Sequence, residues 1–245
     1  MVFKFACRQG LPCFTRCCQD VNIFLSPYDV LRMKKRLGIS SEEFLEQYTD
    51  LLVHRDAGIP VVRLKMVGED RNCPFVTPDG CTIYSDRPWA CRMAPVDVDD
   101  QGRVTFMFDS THCLGLNEET EWTLESWMAD QGLDAYREVE ATFGEIMSSP
   151  VFKEHGLENP RLTEMFLMAA YDVDRFRRFV RESGFLKVFD LPAEVAAAIE
   201  TDDVKLLQLG FQWLKFGLID RGALKIREEE VEARRPEAKK GEAGR

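Results

Sequence analysis

In the second half of the chain, apolar residues recur at intervals near 3.6. Trp122, Leu124, Trp127 and Met128 are followed by Leu133, Tyr136, Val139, Phe143 and Ile146. This spacing predicts helix from about Glu118 onward, and the stretches Leu162 to Val180 and Val204 to Leu218 repeat it. The first half carries shorter signals. Ser26-Pro27-Tyr28-Asp29 supplies an N-cap, a first-turn proline and an early acid, and Gly38 can stop the helix, so residues 27 to 37 are expected to be helical. Ser40 with Glu43 forms a capping-box pattern before Phe44, Leu45 and Tyr48, predicting a second helix to about Arg55 and hence an αα-hairpin. Ile59 to Val67 and Arg103 to Phe108 alternate β-branched and polar residues and read as short strands, with Asp97, Asp99 and Asp100 before Gln101-Gly102 as a hairpin turn. A hard-cation site is the other use of those three acids. The expected fold is mainly α with small β content, an α+β arrangement.

Three regions follow from composition. Residues 1–115 hold every cysteine, residues 116–227 carry the helical pattern, and residues 228–245 are charged, with no large apolar residue after Val231, and read as a disordered tail. At 245 residues and 45% hydrophobic the chain is long enough for an ordinary buried core. A formal net charge of −10 opposes binding to nucleic acid or anionic lipid. The basic run Arg32, Lys34, Lys35 and Arg36 has helix-turn-helix spacing, but the next helix carries Glu42, Glu43, Glu46 and Asp50 and would repel phosphate. The run therefore reads as the solvated face of a hairpin. No apolar stretch reaches the ~18 residues of a membrane span, and the start of the sequence, broken by Lys4 and Arg8, has no export h-region. A cytoplasmic, reducing setting is expected.

That setting changes what the cysteines mean. Cys7, Cys13, Cys17, Cys18, Cys73, Cys81, Cys91 and Cys113 all fall in the first half, three of them in a loop-rich segment among Pro74, Pro78, Gly80 and Pro88. Such a segment has few core formers, and a bound metal supplies the missing cohesion. All eight are candidate thiolate ligands for zinc or for an iron–sulfur centre. The C-x2-C spacing that would fix the metal is missing, and eight thiolates suit two tetrahedral sites. Arg8, Arg16 and Arg92 stand beside Cys7, Cys17 and Cys91, either as partners of thiolate charge or as surface residues. His112, next to Cys113, is an alternative donor. On a helix Cys13 and Cys17 would share one face and Cys18 would be rotated by ~100°. One ion would struggle to take both Cys17 and Cys18, so ligands are expected to be shared between the two cysteine groups. Gly80 permits a φ > 0 turn towards a thiolate, Ile83 and Tyr84 can anchor it in the core, and Asp86 with Pro88 can open a helical turn carrying Cys91. The sequence has no phosphate-binding glycine loop, nucleophile elbow or triad. Phe211, Leu214 and Leu218 read as helix core.

Phe5-x-Cys7, Cys13, Cys17-Cys18, Cys73-x-Phe75, Gly80-Cys81-x-Ile83-Tyr84, Arg87-Pro88 and Cys91-Arg92 with Pro95 together resemble the YkgJ-like cysteine-cluster family of zinc- or iron-chelating domains, over roughly residues 5–115. The resemblance implies a metal ion as ligand and a structural, electron-transfer or metal-handling role, with a protein as a further partner. Some proteins with this type of cluster are called flagellin lysine N-methylases. A metal-dependent methyltransferase-type enzyme is thus the alternative, without a catalytic residue to name.

Overall fold

The computed structural model describes residues 2–53, 59–99, 101–150 and 159–227. Among these are nine strands: β1 Val2–Lys4, β2 Phe24–Leu25, β3 Thr49–Val53, β4 Pro60–Leu64, β5 Val76–Thr77, β6 Gly80–Cys81, β7 Val96–Val98, β8 Val104–Phe106 and β9 Glu121–Thr123. Ten α-helices accompany them: α1 Pro27–Leu37, α2 Ser41–Tyr48, α3 Trp89–Met93, α4 Leu124–Asp130, α5 Asp134–Met147, α6 Pro160–Ala170, α7 Val173–Glu182, α8 Phe185–Val188, α9 Ala193–Ala198 and α10 Asp203–Leu218. The fold is α+β and mainly helical, with the strands confined to residues 2–123. No helix among the described residues is long and apolar enough to cross a membrane.

Local chemistry sets the hairpin. Ser26 and Asp29 form a full capping box around Pro27, and Gly38 closes α1 in the left-handed region at φ 69°. Ser40 and Glu43 repeat the capping box at α2. That helix ends at Tyr48 rather than near Arg55: Thr49–Val53 leaves it as β3, pairing antiparallel with Pro60–Leu64, and Arg55 lies outside the described residues. The competing signal was the partner strand, since pairing with β4 satisfies the backbone that a longer helix would have used. The sheet order is β2-β4-β3. Val96–Val98 and Val104–Phe106 form the expected hairpin, and Asp99 accepts from the amides of Gln101 and Arg103, so it serves the turn. Asp100 is outside the described residues.

Two departures concern the helical pattern. Helix does not begin at Glu118, because Glu121–Thr123 pairs with Val2–Lys4 before Thr123 caps α4. The periodic stretch to Ile146 breaks at Gly132, φ 68°, and that from Leu162 to Val180 breaks at Tyr171 and Asp172, where the Asp172 side chain caps α7. The charged run on α1 is not a uniformly solvated face. Lys34 is buried, pairing with Asp174 at 2.8 Å and lying 3.8 Å from Asp203, which ties α1 to α7 and α10.

One hydrophobic core runs from Ile23, Leu25, Val30 and Phe44 through Phe75 and Ile83 into Phe143, Phe166, Phe176 and Phe211. Phe211 and Leu214 are fully buried in it, and Leu218 packs against it. A second cluster, Phe3, Phe5, Met93, Val96, Trp127, Leu133 and Tyr136, lies under the β1–β9 pair. The tail, residues 228–245, is outside the described residues.

Candidate metal centre

The cysteines are placed by turns and by backbone bonds between distant segments. Residues 8–19 run as successive tight turns: Phe14 N donates to the Leu11 carbonyl, Arg16 N to Cys13 and Cys18 N to Thr15. Thr15 is held at φ 70° and Asp20 at φ 45°, a left-handed backbone that throws adjacent side chains apart. Cys73 N donates to the Cys18 carbonyl at 2.8 Å and Asp20 N to Arg71, so the second cysteine segment is laid against the first. Ala6 N donates to the Gly115 carbonyl at 3.1 Å, which brings Cys113 up to Cys7. Only glycine suits position 115, since a Cβ would lie 2.6 Å from the Ala6 oxygen. Gly80 has φ 118°, the turn expected of it, with the Phe14 ring packed beside it.

These constraints sort the eight thiols into two neighbouring groups. Cys7, Cys13, Cys17 and Cys113 line one small cavity with Phe5, Leu11, Pro95, Phe108 and His112. Around the Cys18–Cys73 backbone bond, Cys18 feels the charge of Cys73 and Cys91, and Cys73 and Cys91 feel that of Cys81, while Cys17 acts on Cys18 and Cys91 as well. The adjacent Cys17 and Cys18 thus belong to different groups, and their thiols are hydrogen bonded, which makes Cys17 the more acidic of the two. Each group draws on both ends of the cysteine-bearing sequence. Among the described residues, no group of three or more His, Cys, Asp and Glu side chains is already arranged to hold an ion.

The donor chemistry fits a soft metal all the same. Three cysteines share one local device: the amides of Phe75, Ile83 and Gly115, two residues ahead of Cys73, Cys81 and Cys113, favour their thiolates, while Val76 N and Leu116 N close the turns on the Cys73 and Cys113 carbonyls. A fourth, Cys13, accepts from Leu114 N at 3.3 Å. Amides two residues ahead of a sulfur favour its anionic form, as nests of N–H groups do for anions generally. Burial acts in the opposite direction. It pushes Cys7 up to about 11 and raises Cys73, Cys81, Cys91 and Cys113, with neighbouring thiols adding to the effect. Thiols so placed need a cation to become thiolates.

One cation is already there. The Arg87 side chain lies over the Tyr84 ring at 3.9 Å, donates to the Tyr84 carbonyl at 2.6 Å and bonds Gln131. From that seat its charge acts on Cys7, Cys81 and Cys91. The expected cations play other parts. Arg92 is buried and donates to the carbonyls of Arg87, Ser85 and Gln131, and Arg8 pairs with Glu118 at 3.2 Å. The only hint of Arg87 in the sequence was its place in the Gly80 to Cys91 segment. Ile83 is buried as expected, whereas Tyr84 is 61% exposed and serves as the platform for Arg87 rather than as a core anchor. Asp86 does not cap the helix of Cys91: it ends a 3-10 turn, Tyr84–Asp86, and pairs with Arg32 at 3.0 Å.

A buried carboxylate fixes that helix instead. Asp29, wholly inaccessible, accepts from Trp89 N at 2.8 Å, from the Tyr136 hydroxyl at 2.8 Å and from Ser26 N at 2.9 Å. It joins α1, the Cys91 helix and α5 at one point. His54 and His155 lie outside the described residues.

The cavity of the first group measures about 40 Å³. That admits an ion or a few waters and falls far short of the roughly 300 Å³ or more of a small-molecule site. A nucleoside-sized methyl donor has no room beside these thiols.

Residues 6–122 match the family model CxxCxxCC, described as "Putative zinc- or iron-chelating domain". The match covers a little under half of the chain, and the family is the one that its cysteine pattern resembles. No curated protein and no solved structure matches the chain.

Proposed function

We propose that the protein holds two metal centres built from thiolates, one from Cys7, Cys13, Cys17 and Cys113 and the other from Cys18, Cys73, Cys81 and Cys91. The observation that carries the reading is the gathering of Cys7, Cys13, Cys17 and Cys113, from both ends of the cysteine-bearing sequence, around one small cavity. Four sulfurs per centre suit tetrahedral zinc or iron, and either metal when bound would neutralise sulfurs that burial otherwise keeps protonated. The residues of this chain orient the sulfurs, place the Arg87 charge beside both groups and shield Cys91 against the core. Residues 1–115 form the metal-organised part and residues 116–227 the helical support. In a reducing, cytoplasmic setting the role is structural, electron-transferring or metal-handling, the last two requiring a protein partner.

Elemental analysis and a visible spectrum of protein purified without oxygen test this. Near-integer zinc without colour supports zinc centres, and broad absorbance near ~400 nm with matching iron supports iron–sulfur. Serine is a poor ligand for soft metals, so Cys81→Ser and Cys91→Ser should lose more metal than Cys7→Ser. Metal-free protein, or wild-type metal content in Cys81→Ser, would overturn the reading.

A further inference from the structure

The two thiol groups differ in their access to solvent. Cys7 and Cys17 are exposed at the small cavity of the first group, where Cys13 is buried, whereas no cysteine of the second group is fully exposed and Cys91 is packed against the core. The first cavity also holds a nitrogen donor that the eight-sulfur count leaves unused. The His112 side chain lines it alongside all four thiols. The ring does not lie there by chance of rotation alone. It stacks on Phe108 at 5.3 Å and 15°, and the turn that presents it is locked by Asp109, whose carboxylate accepts from the amides of Thr111 and His112. Cys7, by contrast, is exposed, on a segment tied to residues 115–122 by the Ala6–Gly115 backbone bond and the Arg8–Glu118 pair on either side of it.

We propose that His112 is a fifth donor of the first centre, able to take the position of Cys7, and that this centre is therefore the exchangeable one while the second is permanent. This rests on the reading of the thiol groups as metal centres. Imidazole and thiolate are both good donors to zinc and to its spectroscopic substitute cobalt, and a centre of three sulfurs and one nitrogen is a normal tetrahedral set. When neutral His112 takes the position and Cys7 leaves as a thiol, the exchange takes up one proton from solvent. A centre with a spare ligand can release one protein sulfur without losing its ion, which is the property that passing an ion to an incoming thiol requires.

The test is cobalt titration of the full-length protein under reducing, anaerobic conditions, following the sulfur-to-cobalt charge-transfer band and the ligand-field band. Wild type, Cys7→Ala, His112→Gln and the double variant are compared, with far-ultraviolet circular dichroism confirming that each retains the helical half. Wild type and His112→Gln should each take up about two equivalents with the same spectrum. Cys7→Ala should still take up about two, with the charge-transfer band reduced by the share of one sulfur and the ligand-field band moved to shorter wavelength. The double variant should hold only one. Cys7→Ala holding a single equivalent, or the double variant holding two, would overturn the role of His112 while leaving two metal centres intact. A wild type that binds no cobalt would instead overturn the underlying metal reading.

Discussion

The thiol-bearing half and the helical half reach order by different means. In the helical half, α5, α6, α7 and α10 bury one another's faces, with rings such as Phe143 and Phe211 at 5.2 Å and Phe179 and Trp213 at 5.0 Å. Burial of that kind is non-directional and tolerates small adjustments. Around the cysteines, three of the four sheets among the described residues are two-stranded and much of the chain is turn. Isolated two-stranded ribbons are marginal in water. What holds them is directional: the Cys73–Cys18 and Ala6–Gly115 backbone bonds, Arg92 bridging three carbonyls, and Asp29 collecting three donors. Apolar packing runs through both halves, and the half that presents the sulfurs adds polar staples to it.

The strongest challenge to this comparison is metal removal. A chelator under reducing conditions should cut amide exchange protection at Phe75, Val76, Ile83, Gly115 and Leu116 by at least about tenfold, while α10 keeps its protection. Equal protection before and after, or uniform loss through both halves, would show that the halves are not stabilised differently.

A smaller but sharper effect is expected at Asp29. Replacement by alanine strands Ser26 N, Trp89 N and the Tyr136 hydroxyl in the interior, where an unmatched donor costs about 1 to 3 kcal/mol. Asp29→Ala should lose about 3 to 5 kcal/mol in denaturant melts. A loss under about 1 kcal/mol would mean that this carboxylate does not staple the Cys91 helix.

The smallest expected effect depends on pH. Burial raises Glu140, which accepts from Tyr28 N at 2.8 Å, to about 7 from its ordinary 4.5. The folded state therefore keeps this proton more tightly than the unfolded state does. The contribution is full below about pH 4.5, declines as pH rises to about 7 and is lost above it. Glu140→Gln keeps the acceptor without the titration. It should remove that decline and be more stable than wild type at pH 8 by roughly 1 to 3 kcal/mol, measured as denaturant midpoints at pH 5 and pH 8. An unchanged pH slope would contradict the burial of this group.

What was legible in the sequence follows the same division. Helix α1 and helix α10 were read nearly to the residue because caps and a 3.6 period are local signals. The end of α2 was misjudged because it depends on the partner strand β4, and β1 was not seen because its partner is β9, about 120 residues on. Lys34 looked solvated within a basic run, and only the arrival of Asp174 and Asp203 from other helices makes it a core residue. The vicinal Cys17-Cys18 pair pointed to mixing of the two cysteine groups, and one cavity does gather Cys113 with Cys7, Cys13 and Cys17. Which sulfurs join which could not be read, since that is set by where residues 73–91 and 113 land in space. Arg87 was visible as a residue and invisible as a charge, because its direction depends on Tyr84 and Gln131.

The pairing of Val2–Lys4 with Glu121–Thr123 also dictates an order of events during synthesis. Strand β1 must wait for its partner: at roughly 5 to 20 residues per second the ribosome needs on the order of ten seconds to go from Lys4 to Glu121. Throughout that interval Phe3 and Phe5, which end up beneath Trp127, have no core to enter. Cys7 and Cys13 wait equally long for Cys113. Until then the growing chain carries apolar rings and free thiols side by side over residues 3–13, and that stretch closes only when the segment that opens the helical half emerges.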